Sequence, residues 1–280
     1  SPFCGTIKCG KHSSSYLRGE SPLDFFSSFY PWQVKAYRDI RGKDAVLSAP
    51  TGSGKTLVAY LWAGILDETG QIRRPEGGRI LFTAPIKALS NERYLDLRKM
   101  GLDVGIETGD FKKNEGASII CCTQEIYSLK YACIPGQKLI VDEFHYIFDD
   151  PDRARAYIDG IRDTMGSTSI LVMSATLGGA SSVRDYLQRV TGRDFYLHEN
   201  TRRETKLIYT PDKPARIDGL KDALVFLFSQ KGAVELAFMA SKYRKHIVKD
   251  KRTRLNELAS ILEVQKIQPP LFKGVGIYHG

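Results

Sequence analysis

Short runs of apolar residues recur between residues 45 and 175, separated by longer segments in which apolar positions follow helical spacing. The runs are rich in valine, isoleucine and leucine, and many end at glycine, proline, serine or threonine. Such runs are typical of strands that are buried on both faces of a parallel sheet. The predicted strands are Ala45–Ser48, Ile80–Ala84, Val104–Ile106, Ser118–Cys122, Leu139–Asp142 and Ile170–Ser174.

Predicted helices lie between these strands. Apolar spacing predicts helices over Thr56–Asp67 and Ser90–Met100. A third helix is predicted after Asp149-Asp150-Pro151, where an aspartate can cap the helix and proline suits its first turn. Because strands alternate with helices, the sequence predicts an α/β fold with a parallel sheet flanked by helices.

The same pattern restarts near residue 204. It predicts a strand over Leu207–Thr210, a helix over Ile217–Ser229 and a second buried strand over Ala233–Ala240. We therefore predict three parts: a tail at residues 1–24, a complete α/β domain at residues 25–203, and part of a second domain at residues 204–280.

Charge is unevenly distributed along the chain. The net charge is +9, from 41 Lys and Arg against 32 Asp and Glu, and residues 201–280 hold 16 basic residues against 8 acidic ones. This basic excess favours a polyanionic partner such as nucleic acid. The alternative is a solvated surface that happens to be basic.

The cysteine pattern indicates thiols in a reducing compartment. The five cysteines are an odd number, which argues against a disulfide framework, and the apolar context of Cys121 and Cys122 predicts that both are buried. Cys4, Cys9 and His12 could belong to a zinc site, but their spacing is loose and a fourth ligand is missing. The alternative for that stretch is a flexible tail.

The chain shows neither an apolar stretch of about 18 residues nor a signal-peptide core, which predicts no membrane partner. A cytoplasmic location is the simplest expectation, or a nuclear one in a eukaryote.

A candidate phosphate site joins the first predicted strand to the first predicted helix, in the segment Ala49-Pro50-Thr51-Gly52-Ser53-Gly54-Lys55-Thr56. The two glycines allow backbone N–H groups to surround phosphate oxygens, and the helix adds its positive N-terminal end. Lys55 is predicted to contact the β- and γ-phosphates and Thr56 to bind Mg²⁺. Ala49 replaces the first glycine of the usual pattern.

An acidic pair follows the predicted strand Leu139–Asp142. Asp142 can hold Mg²⁺ through its water shell, and Glu143 is a candidate general base for the attacking water. His145 lies two residues later and could sense the γ-phosphate. Ser174 and Thr176 end another buried strand, where their hydroxyls could bond the acidic segment and relay the nucleotide state.

The segments PTGSGKT, DEFH and SAT, in this order, resemble the superfamily-two helicases of the DExH-box branch. The wording PIKALSNERY, then DVGIETGD, then DEFHY, is similar to the superkiller-type RNA helicases and their archaeal and bacterial relatives. The resemblance covers roughly residues 25 to 280 and implies two RecA-like domains with ATP and Mg²⁺ between them. It also implies that Gln33 reads the adenine edge.

The resemblance assigns further residues to nucleic-acid contacts at strand ends. Such contacts hold the sugar-phosphate backbone, so binding is expected to be largely independent of base sequence and sensitive to salt. The residues implied are Pro85, Lys87, Ala88, Thr108, Gly109, Thr123, Gln124 and Glu125.

The second domain departs from the family pattern, because its later motifs with arginine fingers are absent. We therefore expect a truncated fragment that is monomeric and weakly active or inactive. The resemblance implies that the parent protein is a 3′-to-5′ RNA helicase, with an RNA-degradation complex as a partner. A DNA repair helicase and a non-catalytic binding module remain as alternatives.

Overall fold

The computed structural model describes residues 29–75, 77–148, 151–175, 179–204, 208, 224–244 and 268–277. An eight-stranded sheet organises the described part up to residue 204. The strands are β1 Ala45–Ser48, β2 Ile80–Ala84, β3 Val104–Thr108, β4 Phe111–Lys113, β5 Ile119–Thr123, β6 Lys138–Val141, β7 Ser169–Ser174 and β8 Tyr196–Glu199. Their order in the sheet is β4-β3-β5-β2-β6-β7-β1-β8. Every pairing is parallel except that of β4, which runs antiparallel to β3.

Helices cover both faces of this sheet. They are α1 Pro31–Ile40, α2 Lys55–Ala63, α3 Lys87–Lys99, α4 Gln124–Ile126, α5 Pro151–Arg162 and α6 Ala180–Thr191, with a π-helical turn at Tyr127–Tyr131 and a 3₁₀ turn at Phe144–Phe148. The six predicted strands, the three predicted helices and the α/β class are confirmed, with boundaries shifted by a few residues. The sequence did not predict β4, β8, α1, α4 or α6.

Two apolar cores explain why the central strands read as continuous hydrophobic runs. Successive residues of a strand face opposite sides of the sheet. Leu47 therefore packs in one core with Ile40 and Leu61. Its neighbour Val46 packs in the other core with Tyr127. The central strands need apolar residues at every position because helices cover both of their faces.

The described residues after 204 belong to a second unit. Within it the predicted strand over Ala233–Ala240 is wrong, because Gln230–Ser241 forms a helix, α7. Ser229 caps this helix by accepting a hydrogen bond from the Gly232 amide at 3.0 Å. Alanine, leucine, methionine and glutamate favour a helix, and a buried run alone does not distinguish the two structures.

Other predictions for the ends of the chain are only partly covered. Residues 224–229, predicted as the end of a helix, are not helical, whereas residues 268–272 are. The tail at residues 1–24, the loose group Cys4, Cys9 and His12, and the strand at Leu207–Thr210 (apart from Ile208) lie outside the described residues. That residues 204–280 form part of a second RecA-like domain stays a prediction.

The thiols differ in exposure. Cys121 and Cys122 are buried as predicted, and Cys133 is an exposed free thiol. Burial raises the pKa of Cys121 to about 12. Among the helices that the structure describes, no helix has the length and apolar character to cross a membrane.

Candidate nucleotide site and adjoining loops

The candidate site lies at the carboxyl ends of the parallel strands. The phosphate loop, residues 49–56, follows β1, and the acidic pair Asp142 and Glu143 follows β6. Only β7 separates these two strands in the sheet, and it ends at Ser174. The three predicted groups of the nucleotide site therefore meet at one edge, which is where ligands bind in open α/β sheets.

Two glycines give the phosphate loop its shape. Gly52 has a φ of 76° and Gly54 a φ of 88°, both in the left-handed region that glycine adopts without steric cost. A Cβ atom at Gly52 would meet nothing within 4 Å, whereas one at Gly54 would lie 2.4 Å from Nε2 of Gln33. The space beside the Gly54 Cα atom is thus filled by the Gln33 side chain, whereas the space beside the Gly52 Cα atom is open.

Lys55 bonds the loop itself. Its Nζ atom donates to the carbonyl oxygens of Ala49 at 2.9 Å and Pro50 at 3.3 Å. Burial lowers the pKa of Lys55, and the carboxylates of Glu143 and Asp142 oppose that shift. Oγ of Ser53 is buried and lacks a hydrogen-bond partner among the described residues. The loop thus holds an ammonium and an unsatisfied hydroxyl, groups that suit phosphate oxygens.

The acidic pair is held by the backbone. The Asp142 amide donates to the Thr83 carbonyl of β2 at 2.9 Å, and the Glu143 amide donates to Oδ1 of Asp142 at 3.0 Å. Glu143 has a φ of 50°, which is strained for a residue with a side chain. Strain of this kind persists only where the surrounding structure imposes it.

The Glu143 carboxylate is set up as a base. Burial raises its pKa, and the neighbouring Asp142 charge adds to the rise, while Lys55 opposes it. Its Oε2 atom is buried without a hydrogen bond and lies 3.3 Å from Nδ1 of His145. An ionisable oxygen with spare accepting capacity and a raised pKa is suited to take a proton from water.

His145 also connects the acidic segment to β7. Its Nδ1 atom lies 3.4 Å from Oγ of Ser174. The Ser174 hydroxyl therefore lies next to His145, and the predicted bond from the Ser-Ala-Thr segment to Asp142 and Glu143 stays a prediction. Thr176, the other predicted hydroxyl, lies outside the described residues.

The predicted metal ligands are joined by a residue that sequence reasoning missed. Nη2 of Arg93, on α3, donates to Oγ1 of Thr56 at 3.2 Å and lies 3.4 Å from Oδ2 of Asp142. The hydroxyl of Thr56 and the carboxylate of Asp142 thus converge on one cationic group. Two oxygen donors of this chemistry fit Mg²⁺, which prefers hard oxygen ligands.

Gln33 is engaged with the phosphate loop. Its Nε2 atom donates to the carbonyls of Ser53 and Gly54, both at 3.2 Å, and its Oε1 atom accepts from the Tyr30 amide at 2.9 Å. In this conformation its polar atoms are occupied by protein. Reading an adenine edge would require Gln33 to exchange at least one of these bonds, and that role stays a prediction.

The three loops predicted to contact nucleic acid lie side by side, because β3, β5 and β2 are neighbours and all three loops follow their carboxyl ends. Lys87 is exposed and pairs with Asp110 at 2.9 Å. Thr108 and Thr123 are largely buried, and Gln124 is fully buried with neither side-chain atom bonded within the described residues. Exposed Lys87 is accordingly the side chain best placed for a phosphate, while Gln124 reaches no surface in this arrangement.

Comparison with known proteins gives one family. The model of the DEAD/DEAH box helicase family matches residues 30–184. The chain is 28% identical over 286 residues to the ATP-dependent DNA helicase Hel308 of Thermococcus kodakarensis, with 89% of this chain and 25% of that protein covered.

Two further relatives match over shorter stretches of the chain. The DExH-box ATP-dependent RNA helicase DExH9 of Arabidopsis thaliana is 32% identical over 174 residues, covering 60% of this chain and 17% of that protein. Superkiller complex protein 2 of Mus musculus is 30% identical over 192 residues, covering 65% of this chain and 15% of that protein. The chain therefore spans a quarter or less of the length of each of these three relatives.

Proposed function

Because the chain belongs to the DEAD/DEAH box helicase family, we propose that the protein is a nucleic-acid-dependent ATPase that moves along or separates nucleic-acid strands. The placement of Glu143 carries this proposal. Its buried, unbonded Oε2 atom lies beside Asp142 and within the electrostatic influence of Lys55. A carboxylate so placed can activate water for attack on a γ-phosphate.

The residues of the site divide the hydrolytic work. The amides of the phosphate loop and the N-terminus of α2 hold the phosphates, and Lys55 leaves its loop carbonyls to neutralise phosphate charge. Mg²⁺, when bound, supplies further positive charge there, with Thr56 and Asp142 as its protein oxygens. Glu143 takes a proton as the water oxygen bonds to the γ-phosphorus, and ADP leaves with the electrons of the broken bond.

We further propose that the loops after β2, β3 and β5 hold one strand by its backbone. Exposed Lys87 and the small residues around it suit phosphate contacts, which carry no base information. The match to DExH9, a named RNA helicase, supports RNA as the substrate. From the resemblance of the motif segments to the superkiller-type RNA helicases, we also propose 3′-to-5′ movement and an RNA-degradation complex as the partner.

DNA is the second candidate substrate. It is favoured by the match to Hel308, a named DNA helicase, which covers 89% of this chain, more than either of the other two relatives.

Steady-state ATP hydrolysis by the full-length protein tests the proposal. It should be measured alone, with single-stranded RNA and with single-stranded DNA of one sequence, at two salt concentrations. We expect stimulation, stronger with RNA and weaker at high salt. Greater stimulation by DNA would identify DNA as the substrate. Hydrolysis no faster than that of Lys55→Ala would contradict the ATPase proposal and leave a binding module.

A further inference from the structure

Arg93 is the one cation that the structure places on both predicted metal ligands, among the residues it describes. Its side chain is 19% exposed and Asp142 is 17% exposed, so the pair is largely shielded from water. A third contact fixes the guanidinium, because Nη1 donates to the Tyr60 hydroxyl at 3.1 Å. The carbon of the guanidinium lies 5.9 Å from the centre of the Tyr60 ring.

The three contacts use the fork geometry of arginine. A planar guanidinium can direct separate N–H groups to a hydroxyl on one side and to a carboxylate on the other, which an ammonium cannot do with one geometry. Thr56 and Asp142 come from α2 and from the end of β6, and Arg93 comes from α3. One side chain therefore ties three elements together at the edge of the phosphate loop.

We propose that Arg93 is a positioning residue that stands in for the metal ion before nucleotide binds and competes with it afterwards. This inference rests on the proposed ATPase function. Oγ1 of Thr56 accepts from Nη2 at 3.2 Å. Mg²⁺ binds oxygen at about 2.0–2.1 Å and demands near-octahedral geometry. A metal ion on Oγ1 would bring two cationic groups within a few ångström of each other, and their repulsion would displace Nη2.

The competition connects the nucleotide to the nucleic-acid loops. Arg93 and Lys87 belong to the same helix, α3, which begins at Lys87 directly after the loop that follows β2. Withdrawal of Arg93 from Thr56 frees one anchor of α3. By linkage, a ligand that stabilises α3 with Arg93 withdrawn from Thr56 favours the binding of nucleotide with Mg²⁺. Binding of nucleotide with Mg²⁺ favours that position of α3 to the same extent.

The test measures how strongly Mg²⁺ tightens the binding of ADP, a ligand that cannot be hydrolysed at the γ-position. Dissociation constants for ADP are determined by calorimetry with excess EDTA and with excess Mg²⁺, in the wild-type full-length protein and in Arg93→Met. We expect the ratio of the two constants to rise about tenfold or more in Arg93→Met, because the competitor has gone.

A matched control lies five residues further along the same helix. Arg98 donates to the Tyr94 hydroxyl at 3.3 Å and lies 5.5 Å from the centre of that ring, which reproduces the tyrosine contacts of Arg93 away from the site. Arg98→Met should leave the ratio unchanged. Arg93→Lys keeps the positive charge but loses the planar guanidinium geometry. The ratio of its two ADP dissociation constants should therefore also rise.

The outcomes separate the inference from the function on which it rests. An equal ratio in wild type and Arg93→Met, whatever the change in each constant, would overturn the competition. A wild-type ratio in Arg93→Lys would overturn the bridging geometry, and Arg93→Lys also serves if Arg93→Met fails to fold. Absence of ADP binding by the wild-type protein would overturn the proposed ATPase and this inference together.

Discussion

At Glu143 both the backbone and the side chain are held in unfavourable states. The left-handed φ of 50° costs on the order of 1–3 kcal/mol. Burial and Asp142 raise the pKa of the carboxyl above its ordinary value of 4.5. The ionised side chain at neutral pH therefore lowers the free energy of unfolding, whereas below pH 4.5 it is protonated in both states and this penalty disappears.

Glu143→Gln should separate catalysis from stability. We expect kcat to fall by about 10²–10⁴-fold, because the general base is lost, while nucleotide still binds. The variant should be more stable than the wild type at pH 7, and the difference should shrink as the pH falls toward 4.5. Thermal unfolding across this range measures the difference in stability, and Glu92→Gln, on the exposed side of α3, is the control. Equal stability of Glu143→Gln and wild type at all pH values would contradict the raised pKa of Glu143.

Residues of the site differ in how far the sequence alone could place them. Lys55, Thr56 and Asp142 were predicted because local patterns mark them: a glycine-rich turn after a strand and an acidic pair after another. Arg93 was not predicted, since its partners are 37 and 49 residues away along the chain and no local pattern marks a long-range ion pair. The hydrogen bonds of Gln33 to the phosphate loop were missed for the same reason.

Among the elements, α1 is joined to the phosphate loop by hydrogen bonds. Gln33 joins them through two hydrogen bonds to loop carbonyls.

Elements with strong apolar runs were predicted, but β8 was not, because three of its four residues are at least partly exposed. The run at Ala233–Ala240 was misassigned, since helix and strand give similar patterns over so short a length.

Two glycine substitutions test the contact between α1 and the loop. Gly54→Ala and Gly52→Ala both carry the cost of an alanine at positive φ, about 1 kcal/mol, but only the first places a Cβ atom 2.4 Å from Gln33. We expect Gly54→Ala to be the less stable of the two and to weaken nucleotide binding more.

Adding Gln33→Ala should recover part of the stability lost by Gly54→Ala and none of that lost by Gly52→Ala. Denaturant unfolding of the single and double variants gives the coupling. Strict additivity in both pairs would show that Gln33 does not press on the loop.

For the whole molecule, strand order is what gathers the candidate loops. Neighbouring β3, β5 and β2 bring three distant segments to one edge, and β6, β7 and β1 do the same for the nucleotide residues. The alternation of strands and helices predicted a parallel sheet but not this order, which depends on pairings between segments that are far apart in sequence.

The salt dependence of nucleic-acid affinity should show how many phosphate contacts the protein makes, and a single substitution should show the contribution of one lysine. We expect affinity for a single strand to fall steeply as salt rises. Lys87→Ala should weaken binding to all sequences alike and reduce the slope of log affinity against log salt by about 1. Lys99→Ala, at the far end of α3, is the control, and an equal slope change in both variants would remove Lys87 from the interface.

The antiparallel strand β4 has a consequence for how the protein behaves in concentrated solution. A parallel sheet that ended at β3 would present a row of unpaired backbone groups on which a strand of another chain could form. Three residues, Phe111–Lys113, cover that row, and all three are exposed. Two of them are lysines, so a second molecule that approaches along this edge meets like charge. This edge of the sheet is thereby protected against the edge-to-edge growth that begins aggregation.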